Sequence, residues 1–187
     1  MRLSGLKNPN FGKPKPAQNP RTTEGMVIKM EINIRRAQLR DCADLQRLLL
    51  QIDNQHAQSR PDLFRQDAVK YDESACLRIL ADEKRPVFVA ADAGERVCGY
   101  AFCEVLQYKN HAVLRDCRTL YLDDLCVDES CRRQGIGEKL MAAVMAYARE
   151  NGAYNVDLNV WEFNENAIRF YEKNGFTTQR RKMEVIL

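Results

Sequence analysis

Arg132-Arg133-Gln134-Gly135-Ile136-Gly137 places two arginines just ahead of two glycines that are one residue apart. A helix starts on top of them: Ile136, Leu140, Val144, Tyr147 and Ala148 recur at helical spacing. The first turn of a helix presents N–H groups without partners and a partial positive charge, which suits an anion. Gly135 and Gly137 let an anion approach the backbone with no Cβ in the way, although a glycine there can also serve only a positive-φ turn. Arg132 and Arg133 supply charge enough for a diphosphate. Two nucleotide motifs fail on spacing. A P-loop needs a hydroxyl after its lysine, and Lys139 is followed by Leu140. A dinucleotide turn needs a third glycine where Leu140 stands.

A second constellation lies just upstream. Asp123 and Asp124 are adjacent carboxylates inside the apolar run Leu120–Val127. Acidic residues are depleted in strands and costly when buried unpaired. Consecutive strand residues face opposite ways, so only one of the two reaches a given face unless a bulge intervenes. A carboxylate there can be a general base, or simply an edge group bonded to backbone.

The elements that must hold these residues alternate in a mixed order. Glu31–Arg36 reads as a strand. Asp41 caps a helix carrying Leu45, Leu48, Leu49 and Ile52 on one face. Residues 54–70 read as loop or broken helix, and 72–82 as a short helix bearing Leu77 and Leu80. Strands follow at 86–91, 97–108 and 117–127, with Asp92-Ala93-Gly94-Glu95 as a hairpin turn. Residues 134–151 form a helix ended by Gly152. Residues 155–161 form a strand, and a helix capped by Asn164 ends at Gly175. Residues 176–187 supply one or two last strands. This is an α/β (α+β) chain with antiparallel strands first and βαβ units after, helices covering both faces of one sheet.

Composition bounds the rest. The 187 residues suit one domain plus an arm. Residues 1–29 hold four of the six prolines and six Lys or Arg against Glu24, so they read as a disordered basic arm or leader. The domain at 30–187 is then slightly acidic, which argues against nucleic acid as a partner. No apolar run is long enough to span a membrane, so no membrane association is expected. The seven cysteines are odd in number, scattered and free of any Cys-x-x-Cys, and the two histidines are too few for a zinc site. Reduced buried thiols, a cytoplasmic setting and no metal are the expectation.

The motifs together resemble the GNAT superfamily of acetyl-coenzyme A-dependent N-acetyltransferases. Arg132 to Gly137 matches its Arg/Gln-x-x-Gly-x-Gly/Ala signature, and "LYLDDLCVDES", Leu120 to Ser130, looks like its fourth strand. "NVWEFNENAIRFYEKNGF" is similar to the family's second signature, Asn-x-x-Ala-x-x-Phe-Tyr followed by Gly-Phe. The resemblance covers roughly 30–187 and is strongest over 119–176.

It implies a mixed, mostly antiparallel sheet of six to seven strands, splayed between strands 4 and 5. It implies that the diphosphate of acetyl-coenzyme A rests on the amides around Arg132, Arg133, Gln134, Gly135, Ile136, Gly137, Glu138 and Lys139. The pantetheine arm pairs with Leu125, Cys126 and Val127, the strands part after Val127, and Asn166 bonds the arm. Tyr171 is the acid that serves the leaving thiol, Asp123 the preferred base and Asp124 the second choice. The oxyanion donor is a backbone N–H near Leu125 or Cys126. His56, Asp62, Phe64, Tyr108, His111, Trp161 and Glu162 are the candidates for the acceptor side. The implied reaction is acetyl transfer to a small amine, polyamine or amino metabolite by direct attack. Acetyl-coenzyme A binding without turnover and acetylation of a protein N-terminus or lysine are the alternatives, and a homodimer stays open.

Overall fold

Val87-Phe88-Val89-Ala90-Ala91 is buried at every position, as a strand covered on both faces must be. In the computed structural model, which describes residues 31–113 and 115–187, this strand sits inside a five-stranded sheet. The arm at 1–29 lies outside the described residues. The order along the chain is β1 (Asn33–Arg36), α1 (Cys42–Ser59), α2 (Glu73–Leu80), β2 (Val87–Ala91), β3 (Val97–Tyr108), β4 (Cys117–Val127), α3 (Ile136–Glu150), β5 (Asn155–Leu158) and α4 (Glu165–Lys173). The strands lie side by side in sequence order. β1 to β4 pair antiparallel, and β5 joins β4 in parallel across the α3 crossover.

The period-2 alternation of β2 divides the core in two. Val87 and Val89 face Leu45, Leu48 and Leu49 of α1 and Cys76 and Ile79 of α2. Phe88 and Ala90 belong to the opposite cluster, with Leu140, Met141, Val144 and Ala148 of α3. Burying each of those leucines removes apolar surface worth about 2 kcal/mol. Helices therefore cover both faces, as the sequence pattern requires. All seven cysteines are free, and all but Cys117 are buried.

Four elements differ from the sequence reading. α1 does not break at Asn54 but runs to Ser59, because Ala57 still faces the core and Pro61 lies beyond the helix. The inner face of α2 is Cys76 and Ile79, with Leu80 at its margin, while Leu77 is exposed. β5 stops at Leu158 rather than Trp161. Residues 176–187 form no ladder, so among the described residues the sheet has five strands where six to seven were expected.

Two irregularities coincide in β4. Against β3, Phe102 pairs with Asp124 and Cys103 with Leu122, which leaves Asp123 as the extra residue of a bulge. Against β5, pairing ends at Leu122 with Leu158. β4 runs on to Val127 with β3 on one side only. The gap in the sheet thus opens at Asp123, not after Val127, because β5 is only four residues long.

Candidate active site

One end of the gap is the turn before α3. Asp128 anchors it: its Oδ2 accepts from Arg47 Nη1 at 2.6 Å and Arg96 Nη2 at 2.9 Å, and its Oδ1 from Ser130 N at 2.9 Å and Ser130 Oγ at 2.6 Å. Burial opposes the charge on Asp128, but the bonds from Ser130 and Arg47 prevail and hold its carboxyl at about 2. Arg133 (φ 62°) and Gly135 (φ 75°) then adopt left-handed backbone. Among the described residues, no side chain caps α3. Among the described residues, no hydrogen bond engages the N–H groups of Ile136, Gly137 or Glu138, whereas Lys139 N is used on Gly135 O at 3.1 Å.

The two glycines do different work. A Cβ on Gly135 would meet nothing closer than Glu138 Oε2 at 3.7 Å, so its positive φ is what calls for glycine. A Cβ on Gly137 would come within 3.2 Å of Phe170 Cε2, so its bareness lets α4 pack on α3.

The other end is a cavity of about 550 Å³ between α1, the segment after it, β4 and the β5–α4 connection. The bulge brings both neighbouring carboxylates to its wall. Asp123 is committed: its Oδ1 accepts from Lys70 Nζ at 2.8 Å and its Oδ2 from Tyr71 Oη at 2.6 Å, with Arg85 Nη2 donating to Tyr71 Oη at 3.0 Å. Among the described residues, no side chain donates a hydrogen bond to Asp124. Burial pushes its carboxyl up to about 7; Lys70 opposes this, and the charges of Asp123 and Asp53 add to it. Tyr171 reaches the same cavity. Burial raises its phenol well above the usual value, and the nearby Asp124 charge adds to that.

Rings from both sides of the gap meet at the cavity. His56 and Phe64 lie 5.3 Å apart, Phe64 and Trp161 5.3 Å, and Trp161 stacks on Phe163 at 5.7 Å. Burial lowers the His56 imidazole, with Asp53 acting against the shift.

Residues 43–176 match the model of the acetyltransferase (GNAT) family. The chain belongs to that family. Its fold is close to an x-ray structure of a tetramutant of the BH1408 protein from Bacillus halodurans, at 32% identity and TM-score 0.79 over 83% of this chain and 99% of that one. It is 28% identical to a thialysine N-epsilon-acetyltransferase of Mus musculus over 145 residues, covering 76% of this chain and 82% of the relative. It is 35% identical to the L-ornithine N5-acetyltransferase NATA1 of Arabidopsis thaliana over 71 residues, 38% of this chain and 31% of the relative. The chain spans less than half the length of several curated relatives it matches.

Within this GNAT domain the expected site residues separate. Asp123, Asp124, Leu125 and Tyr171 line one cavity, with His56, Phe64 and Trp161. Cys126 is buried toward α1, where Gln51 Nε2 donates to its Sγ at 3.4 Å. The Val127 carbonyl accepts from Gln51 Nε2 and Arg132 Nε, each at 3.3 Å. Asn166 is exposed and accepts from Arg169 Nη2 at 2.9 Å; Asn164 and Ala167 line the cavity instead. Asp62 is paired with Arg60 at 2.8 Å. Asp62, Tyr108, His111 and Glu162 do not line the cavity.

Asp53, Arg65, Lys70, Tyr121 and Asn159 do line it, and the sequence reading missed them. Asp53 stands one helical turn before His56, the one local signal that could have found it. Among the described residues no group of three or more His, Cys, Asp or Glu could hold a metal ion, and no helix is long and apolar enough to cross a membrane.

Proposed function

We propose that the protein transfers an acetyl group from acetyl-coenzyme A to a small cationic amine by direct attack. The observation that carries this reading is the position of Asp124. It faces the gap unclaimed by any described side chain, raised to about 7, with Tyr171 in the same cavity. Bound acetyl-coenzyme A supplies an activated thioester carbonyl. The turn fits its diphosphate: free N–H groups, left-handed backbone at Gly135 and the charges of Arg132 and Arg133 point the same way.

Asp124 takes a proton from the acceptor ammonium, which frees the nitrogen lone pair. The nitrogen bonds to the acetyl carbon, the carbon–sulfur bond breaks, and the nitrogen releases its second proton to solvent. A backbone N–H near Leu125 or Cys126 faces the charge that grows on the acetyl oxygen. Tyr171 gives its proton to the leaving sulfur, and the proton held by Asp124 restores the phenol. Asp123, saturated by Lys70 and Tyr71, serves as a fixed negative charge rather than as the base.

Asp53, Asp123 and Asp124 draw a cationic acceptor into the cavity. The rings of Phe64 and Trp161 suit its alkyl stem. Relatives named for the N5 of ornithine and the Nε of thialysine fit an acceptor with a distal amine. A panel of ornithine, thialysine, 1,4-diaminobutane and an amino-terminal peptide, read by thiol release, tests this. Turnover is expected on the small amines. Binding of acetyl-coenzyme A with no release on any acceptor supports a regulatory role instead.

A further inference from the structure

Tyr100 and Phe102 stand on the same face of β3, and their rings meet at 5.0 Å in the core beneath α1. Both are sealed, Tyr100 at 0% exposed and Phe102 at 1%. A phenylalanine serves at one position, so packing alone does not call for a hydroxyl at the other. Tyr100 nonetheless carries one, and among the described residues its Oη is buried with no hydrogen-bond partner. A buried donor left unbonded costs the full desolvation of that group, so such a hydroxyl calls for an explanation.

The register of the sheet says what the hydroxyl stands beside. Tyr100 pairs with Cys126 and Phe102 with Asp124 across β3 and β4. Directly opposed residues point to one face, so Asp124 shares this face with Tyr100 and is its diagonal neighbour, within reach of an aromatic side chain. The other acceptors on this side are engaged. Asp123 accepts from Lys70 Nζ and Tyr71 Oη, Asp53 of α1 from Lys70 N at 2.7 Å, and Cys126 Sγ from Gln51 Nε2. His56, Arg65, Tyr121 and Tyr171 complete the ionisable groups around the cavity. Burial raises the Tyr100 phenol well above its usual value, and among its charged neighbours Asp124 adds most. The phenol therefore keeps its proton and has it to donate.

We infer that Tyr100 is a positioning residue for the transfer reaction: its hydroxyl donates, directly or across one water, to the Asp124 carboxylate and holds that group in its ionised form. This role rests on the reading of Asp124 as the base. A hydrogen bond to the charged form favours that form and offsets the burial that keeps the proton on. A carboxyl that stays protonated cannot take a proton from the acceptor ammonium, so the buried hydroxyl sets the pH at which the base becomes available.

Carboxyl-carbon NMR of the aspartates across pH, in wild type and Tyr100→Phe, tests it, with the Asp124 signal assigned from Asp124→Asn. Phenylalanine keeps the ring and removes the donor alone. The Asp124 titration should move up by about one pH unit in the variant, and the step in the pH profile of kcat/KM for a diamine should move up with it. An Asp124 carboxyl that titrates alike in both proteins overturns the inference, whether or not Asp53 moves, and a rate lowered equally at every pH would then mark lost packing. A carboxyl that moves while the rate step stays put keeps the hydrogen bond and removes Asp124 as the base. Should the variant fail to fold, the wild type decides alone. The Tyr100 ring carbon that bears the hydroxyl should shift at the pH where Asp124 titrates, and a carbon that stays put overturns the inference.

Discussion

The turn before α3 and the cavity lie at the two ends of one gap and are built from different materials. The turn offers main chain: free N–H groups, two left-handed residues and no capping side chain. The cavity offers side chains from α1, the segment after it, β4, the β5–α4 connection and α4. A main-chain site depends on φ signs and on a helix start, so glycine spacing announces it. A side-chain cavity depends on which distant residues the fold brings together, and no spacing records that. One end can therefore be common to a family while the other varies with the acceptor.

Substitutions at the two ends should separate in what they change. Gly135→Val has the largest expected effect: a β-branched residue at φ 75° forces the turn to move. Affinity for acetyl-coenzyme A should fall by about 100-fold, roughly 3 kcal/mol, by calorimetry. Unchanged affinity would detach the turn from the cofactor. Tyr171→Phe should lower kcat by about 100-fold and leave that affinity near wild type; a kcat close to that of wild type removes Tyr171 as the acid. Trp161→Ala should raise the acceptor KM by about tenfold, on the order of 1 kcal/mol for one lost ring contact, with the cofactor KM unmoved. An equal rise in both KM values would erase the division between the ends.

A stability effect should be the smallest. The folded carboxyl of Asp124 is raised to about 7, above its unfolded value of about 3.9, so the folded state binds the proton more tightly. Stability is therefore lost as pH rises from about 4 through about 7. Asp124→Asn removes that loss, and its Tm should exceed wild type by a few degrees at about pH 8 but not at about pH 5. A variant less stable at both pH values contradicts the buried-charge reading.

Much of the fold was legible because its elements carry strong local patterns. The α3 stripe from Ile136 to Ala148, the unbroken apolar run of β2 and the cap at Asn164 each name their element. The bulge at Asp123 was anticipated only as a condition, since two neighbouring acids cannot otherwise share a face. Which acid stays free was not legible, because Lys70 and Tyr71 lie 53 and 52 residues from Asp123 along the chain. The part Asn166 plays was not legible either, because a polar residue in a first helical turn looks the same whether it faces a ligand or solvent. Residues 176–187 were read as one or two strands and form no ladder, because apolar alternation records which side chains share a face and not whether a neighbouring strand is there to pair with them.

The central claim is that Asp124, at the point where β4 leaves β5, removes the proton from the acceptor. The pH profile of kcat/KM for acetyl transfer to a diamine, in wild type and Asp124→Asn, tests it most directly. The wild-type rate should climb with pH through about 7 as the carboxyl ionises, and the variant should be about 100-fold slower without that step. A variant with the wild-type rate and the same step would contradict the claim.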